Sequence, residues 1–278
     1  LNTQIEKEEW VGKFMVLPRI ITAVVGIPVV LAVIYIGGFP YFLFITFVIG
    51  MSLYEYYIMM KLCFKPVDLF SLFFCGIIIP ISFYLNYDME KYFNFVSMFI
   101  SLSVILPIFI ELFRKEKYLE RVSYTISAIF LISYNLSHLI LIRNMENGAK
   151  IVFLIILSIW IGDTFAYIVG TRFGKHSLNQ ISPKKTIEGF VAGFISTVLF
   201  FYIVSKYLPI FSPLKFIIFG VVVSISSQFS DLAESLIKRA CGVKDSSNLL
   251  PGHGGFFDRF DSYLFAAPVS YYFLIFIR

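Results

Sequence analysis

Apolar residues run along this chain in blocks of about 16 to 25 positions, separated by short polar stretches. The blocks show neither the narrow stripe of a soluble amphipathic helix nor the strict alternation of a barrel strand. Runs of this length match helices that cross a hydrocarbon core of ~30 Å. The pattern predicts nine spans, at residues 20–36, 41–60, 67–85, 93–113, 123–142, 151–170, 190–207, 214–238 and 262–277. The expected fold is therefore all-α, a polytopic transmembrane helical bundle. Most connections are short. Two are longer, 171–189 and 239–261, and both are rich in polar residues. Long loops in a compact bundle are usually functional.

The pattern divides the chain into three parts. Residues 1–12 are a polar N-terminal lead or a remnant of expression, set apart from the fold. Residues 13–150 form a transmembrane scaffold of five spans, whose few polar residues include Glu55 and Glu111. Residues 151–278 hold four spans and both long loops, and form the expected catalytic region.

Composition agrees with the pattern. Of 278 residues, 58% are hydrophobic and only 15% charged, with a mean hydropathy of +0.83. A soluble domain carries about 25% charged residues. The three cysteines, Cys63, Cys75 and Cys241, have no metal-motif spacing and suggest no disulfide framework. The net charge of +5 reads as a positive-inside bias plus anionic ligands rather than nucleic-acid binding. With the N-terminus inside, seventeen of the 23 Lys and Arg residues fall on the inner side. Both long loops then face the cytosol of a multi-pass protein of the cell (inner or plasma) membrane.

Four polar constellations lie in the last part. The first places Asp163 inside an apolar run, with Tyr167 one turn later. A carboxylate there costs about 2.5–3.5 kcal/mol on insertion, so it must face the interior. An interhelical polar contact explains Asp163 equally well at this point. The second, Ser182-Pro183-Lys184-Lys185-Thr186-Ile187-Glu188-Gly189, sets ammonium and hydroxyl groups beside the exposed amides of a helix start, which suits anions. It lacks the glycines of a Walker A loop. In the third, Gln228, Asp231, Ser235 and Lys238 recur at steps of three and four and form one polar stripe. Such a stripe on a membrane helix must line water, protein or ligand.

The fourth constellation is the most specific. It runs from Lys244-Asp245 through Pro251-Gly252-His253-Gly254-Gly255 to Asp258-Arg259-Phe260-Asp261. Glycines permit close backbone approach and positive φ. Carboxylates without thiolates, and with a single His, favour a hard cation such as Mg2+ over zinc.

Ser235, Lys238-Arg239, Lys244-Asp245, Pro251-Gly252-His253-Gly254-Gly255 and Asp258-Arg259-Phe260-Asp261 together resemble the signature of the phosphatidate cytidylyltransferases, the CDP-diacylglycerol synthases. The Gly162-Asp163-Thr164 and Ser182-to-Gly189 segments look like the same family, so the motif-bearing likeness covers residues 160–262. The resemblance implies a Mg2+-dependent transfer from CTP to phosphatidate, giving CDP-diacylglycerol and pyrophosphate. No protein nucleophile is needed, because the lipid phosphate attacks; positioning and charge neutralisation remain. On this reading Asp231 and Asp258 are metal ligands and Asp261 a further one, with room for a second cation. Asp231, Asp258, Lys238 and His253 carry the catalysis. Lys184, Lys185, Arg239, Lys244 and Arg259 hold phosphates, with Gly254 and Gly255 shaping the loop. The partners expected are CTP, phosphatidate and membrane lipids, with a homodimer allowed and no nucleic acid. A CTP-dependent polyprenol or dolichol kinase is the nearest enzyme alternative. A transporter using Glu55, Asp163, Asp231 and Glu234 as an ion path is the alternative of another class.

Overall fold

A computed structural model describes residues 24–89, 94–247, 249 and 254–277, without the side chains of 86–89. The helices are α1 (Val24–Ile36), α2 (Gly38–Leu62), α3 (Leu69–Met89), α4 (Phe95–Leu112), α5 (Leu119–Ala128), α6 (Asn135–Asn144), α7 (Gly148–Phe173), α8 (Ile187–Val204), α9 (Pro213–Ala240), α10 (Phe257–Phe260) and α11 (Tyr263–Phe276). A π-helical turn, Ile129–Tyr134, joins α5 to α6, so Leu119–Asn144 is one continuous helical rod. No strand forms among the described residues, and the all-α bundle expected from the pattern is present.

Each of the nine apolar blocks maps onto a helix, but the helices differ in reach. Among the described residues, six are long and apolar enough to cross a membrane: α2, α4, the α5–α6 rod, α7, α8 and α9. Of the other three, α3 runs 21 residues, α1 is described only from Val24, and Tyr263–Phe276 has 14 residues. At 1.5 Å per residue the 14-residue α11 extends only about 21 Å. The last expected span, 262–277, is α11, which starts one residue later because the chain turns at Asp261 and Ser262.

Local chemistry sets the helix ends. Thr186 caps α8 by accepting a hydrogen bond from the Gly189 N–H at 3.1 Å, so α8 begins three residues before the predicted 190. Ser212 and Pro213 start α9 as cap and first residue. In the scaffold, Glu111 on α4 accepts from Arg121 at 3.0 Å and from the Tyr118 N–H at 2.7 Å, fixing the α4–α5 turn. Arg114 pairs with Asp68, which caps α3 through the Ser71 N–H.

The core is continuous. Ile49 and Leu53 of α2, Leu136 of α6, Val223 of α9 and Leu264 of α11 are fully buried. α7 packs on α8, α8 on α9, and α9 on α11, which returns to α6. Small residues let α7 and α8 approach closely. A Cβ on Gly162 would sit 2.6 Å from Thr197 Oγ1, and one on Gly189 would sit 2.7 Å from the Ala166 carbonyl. This brings Asp163 beside the Lys184–Thr186 turn at the head of α8.

Candidate active site

The α9 stripe forms the floor of the site. Asp231 and Glu234 stand one turn apart on α9. Asp261, from the α10–α11 junction, joins them, so that carboxylate oxygens of all three lie within 4.8 Å of one another. Ser230 holds the junction against α9: its hydroxyl donates to the Asp261 carbonyl and accepts from the Phe265 N–H at 3.0 Å. Glu234 is fully buried, and its Oε1 has no hydrogen-bond partner among the described residues. Burial, then the nearby Asp231 charge, push the Asp261 carboxyl above the usual carboxylate range.

Lys238, one turn beyond Glu234, bridges two acids. Its Nζ is 2.6 Å from Glu234 Oε2 and 2.8 Å from Asp258 Oδ1. Asp258 also accepts from the Ser246 N–H at 3.0 Å, the Ser246 hydroxyl at 2.9 Å and the Gly255 N–H at 2.8 Å. Burial alone would raise this carboxyl, but Lys238 and the Gly255 amide outweigh it and hold Asp258 below its ordinary range. Gly254 takes a φ of 78°, the left-handed conformation that the turn into Asp258 requires.

Glu55 anchors the same loop from α2. It is 1% exposed and receives four hydrogen bonds. The Ser247 hydroxyl and Phe256 N–H reach Oε1 at 2.6 and 2.9 Å. The Ser246 hydroxyl and Phe257 N–H reach Oε2 at 3.1 and 2.7 Å. A Cβ on Gly255 would collide with Ser246 and Glu55, so glycine is needed for this close approach.

Above the acids a cavity of about 590 Å3 opens, lined by Asp163, Lys184, Lys185, Thr186, Gln228 and Asp231 among others. The loop over it is folded on itself. Leu178 N–H donates to the Lys185 carbonyl at 2.8 Å, Ile187 N–H to the His176 carbonyl at 2.9 Å, and His176 pairs with Glu188. Lys185 reaches down and pairs with Asp231. A second, largely apolar cavity of about 470 Å3 is lined by Tyr41, Phe44, Trp160, Phe256, Arg259 and Tyr263 among others. Trp160 and Asp163 are one turn apart on α7, so the two cavities open side by side along that helix.

The structure thus gathers most of the expected residues, in a different grouping. Asp231 and Asp261 meet, and Glu234 completes their cluster. Asp258 is not one of the three converging acids but lies within hydrogen-bond reach of Glu234, and is held by Lys238 and the glycine-loop amides. Lys184 and Lys185 line the first cavity, and Arg259 the second. Arg239 organises the loops, donating to the Ile181 carbonyl at 3.4 Å and the Val243 carbonyl at 2.9 Å. Lys244 is exposed. His253 lies outside the described residues. Sequence reasoning gave no site role to Glu55 or Glu234 in this chemistry. The available signal was that each is an acid inside an apolar run.

Comparison with known proteins places the chain in a family. Residues 17–277 match the cytidylyltransferase family. The phosphatidate cytidylyltransferase of Bacillus subtilis is 34% identical over 265 residues, 92% of this chain and 96% of that protein. The phosphatidate cytidylyltransferase of Aquifex aeolicus is 42% identical over 144 residues, 51% of this chain and 54% of that protein. That of Synechocystis is 41% identical over 134 residues, 48% of this chain and 46% of that protein. The likeness spans the scaffold as well as the acids, lysines and glycine loop, and this chain belongs to the cytidylyltransferase family.

Proposed function

We propose that this protein transfers the cytidylyl group of CTP to phosphatidate, releasing pyrophosphate and leaving CDP-diacylglycerol in the bilayer. One observation carries the reading: a cavity walled by Lys184, Lys185, Asp163 and Asp231, the last a member of the carboxylate cluster, opens beside an apolar cavity with an arginine in its wall. The first suits a nucleotide triphosphate and the second the chains and phosphate of a lipid. A lipid phosphate oxygen forms the new bond to the α-phosphorus of CTP. The bond from that phosphorus to the β-bridging oxygen breaks, and pyrophosphate carries the electron pair away.

Asp231, Glu234 and Asp261 fit a hard divalent cation. Three carboxylates converge, and a fully buried carboxylate oxygen lacks a donor. They would hold Mg2+, which when bound neutralises phosphate charge and polarises the attacked phosphorus. The chain's own groups do the rest. Lys184 and Lys185 offset the triphosphate charge from the head of α8, where the helix dipole also favours anions. Arg259 holds the lipid phosphate at the edge of the apolar cavity. Lys238 fixes Asp258 and through it the glycine loop. Positioning two polyanions in line accounts for most of the acceleration such a site supplies. The long loops 171–189 and 239–261 carry seven of the seventeen inner-side Lys and Arg, which supports a cytosolic site with access to soluble CTP.

Detergent-solubilised protein given phosphatidate, Mg2+ and CTP labelled on either the α- or the γ-phosphorus tests this. The α-label should enter lipid and the γ-label leave as pyrophosphate. Entry of the γ-label into lipid, with CDP released, would establish a kinase instead.

A further inference from the structure

Three sulfur atoms meet at the loop end of the bundle, and the proposed reaction uses none of them. Cys63 ends α2 and Cys241 ends α9. Their Sγ atoms are 2.8 Å apart, and Cys241 Sγ is 3.6 Å from Met60 Sδ, one turn before Cys63 on α2. The Cys63 thiol also donates to the Met60 carbonyl at 3.3 Å. Met60 is buried, whereas both cysteines are partly exposed free thiols. A buried thioether therefore backs two thiols that a solute can reach.

We propose that Cys63, Cys241 and Met60 form a binding site for a soft monovalent cation of the copper(I) or silver(I) class. Thiolate and thioether donors select soft ions over Mg2+. Two thiolates and one monovalent ion carry a net negative charge, and Lys65 stands ready to offset it. Its Nζ donates to the Ala240 carbonyl at 2.8 Å, one residue from Cys241. Binding releases the two thiol protons to solvent and moves no electrons. Three sulfurs each ~2.3 Å from an ion lie about 4 Å apart. The two Sγ atoms must therefore separate by about 1 Å, a small χ1 adjustment for half-exposed side chains. A disulfide would use the same two cysteines but would leave the third sulfur without a role. Burial, then the hydrogen bond to Cys63, push the Cys241 thiol up to about 12, so affinity for the ion should rise with pH. The bound ion would tie the end of α2, which carries Glu55, to the end of α9, which carries the acids. The site does not depend on the transferase reading.

The test titrates reduced full chain in detergent with copper(I), buffered anaerobically by bicinchoninate. One ion per chain is expected. Cys63→Ser and Cys241→Ser should each weaken binding by more than the ~10–100-fold that even outer-sphere partners command. Met60→Leu should weaken it by about ten-fold, at the low end of that range. Cys75→Ser, at a thiol buried on α3, should leave binding unchanged. Thermal melting without copper verifies that each variant folds. Undiminished binding in a folded Cys63→Ser, Cys241→Ser or Met60→Leu variant overturns the proposal. So does a Cys63–Cys241 disulfide in protein taken from cells under thiol trapping.

Discussion

Replacing Glu55 by Gln keeps the size of the side chain and removes one acceptor oxygen from a site with four donors. Two of those donors converge on each carboxylate oxygen. Whichever way the amide turns, its NH2 faces two donors. Hydrogen bonds to a charged acceptor contribute ~1.5–3 kcal/mol each, so two lost bonds sum to about 3–6 kcal/mol. Neighbouring bonds are not additive and the loop relaxes, which leaves about 2–4 kcal/mol. That cost falls on the placement of the loop, because α2 satisfies its own backbone. A cost of ~3 kcal/mol lowers the ratio of seated to unseated loop by about 10²-fold. Two readouts check this together: CTP-dependent turnover, and hydrogen exchange at the Phe256 and Phe257 amides that Glu55 accepts. Exchange should quicken by up to about 10²-fold, and turnover should fall to the extent that the seated loop becomes the minor state. Turnover within threefold of the parent with unchanged exchange would refute the reasoning. Lost turnover with unchanged exchange would also refute it, by moving Glu55 from positioning into the chemistry itself.

Asp231→Asn and Asp261→Asn should each cut Mg2+-stimulated turnover by ~10²-fold or more and weaken Mn2+ binding followed by electron paramagnetic resonance. Normal Mn2+ binding in both would exclude the carboxylate trio as a metal site. Lys238→Met leaves Glu234 and Asp258 facing one another without a cation. Breaking a buried pair costs about 3–5 kcal/mol, so the thermal midpoint should drop by several degrees and recover in part with Lys238→Arg. Asp258 titrates below its unfolded value of ~3.9, so its hold on the loop is complete above that pH and lost as pH falls through the lower folded value. Protease cleavage within 241–256 should therefore stay slow at pH 5 and quicken only below about pH 4, and Asp258→Asn should be cut readily throughout.

Hydropathy alone located the helices, because the cost of exposing backbone and charge to lipid leaves long apolar blocks in the sequence. The α9 stripe was equally legible, since helical periodicity places Asp231 and Lys238 on one face whatever surrounds them. Proximity between distant segments was not. Glu55 lies 191 positions before Ser246, which it binds, and no spacing rule connects α2 to a glycine loop. The division of labour between Asp258 and Glu234 was hidden for the same reason. Asp258 shares a short segment with Asp261, yet the break between α10 and α11 sends the two carboxylates to different partners. The bounds of the last helix were legible to within a residue, whereas the Ser230 contacts that hold the turn at Asp261 and Ser262 were not.

The Lys238–Glu234 contact also bears on how the chain enters the bilayer. The two residues are four apart on α9, so the pair forms within that helix alone, before α10 and α11 have left the ribosome. An unpaired acid at mid-membrane opposes insertion by about 2.5–3.5 kcal/mol. Lys238 lies two residues from the end of α9, near the headgroups, and can draw the Glu234 charge toward that boundary. Asp231 has no such partner on its own helix and meets Lys185 of the preceding loop. The hairpin of α8 and α9 thus arrives with its charges already matched in order of synthesis. Asp258 is the last to join, completing a bridge whose first half was built during translation.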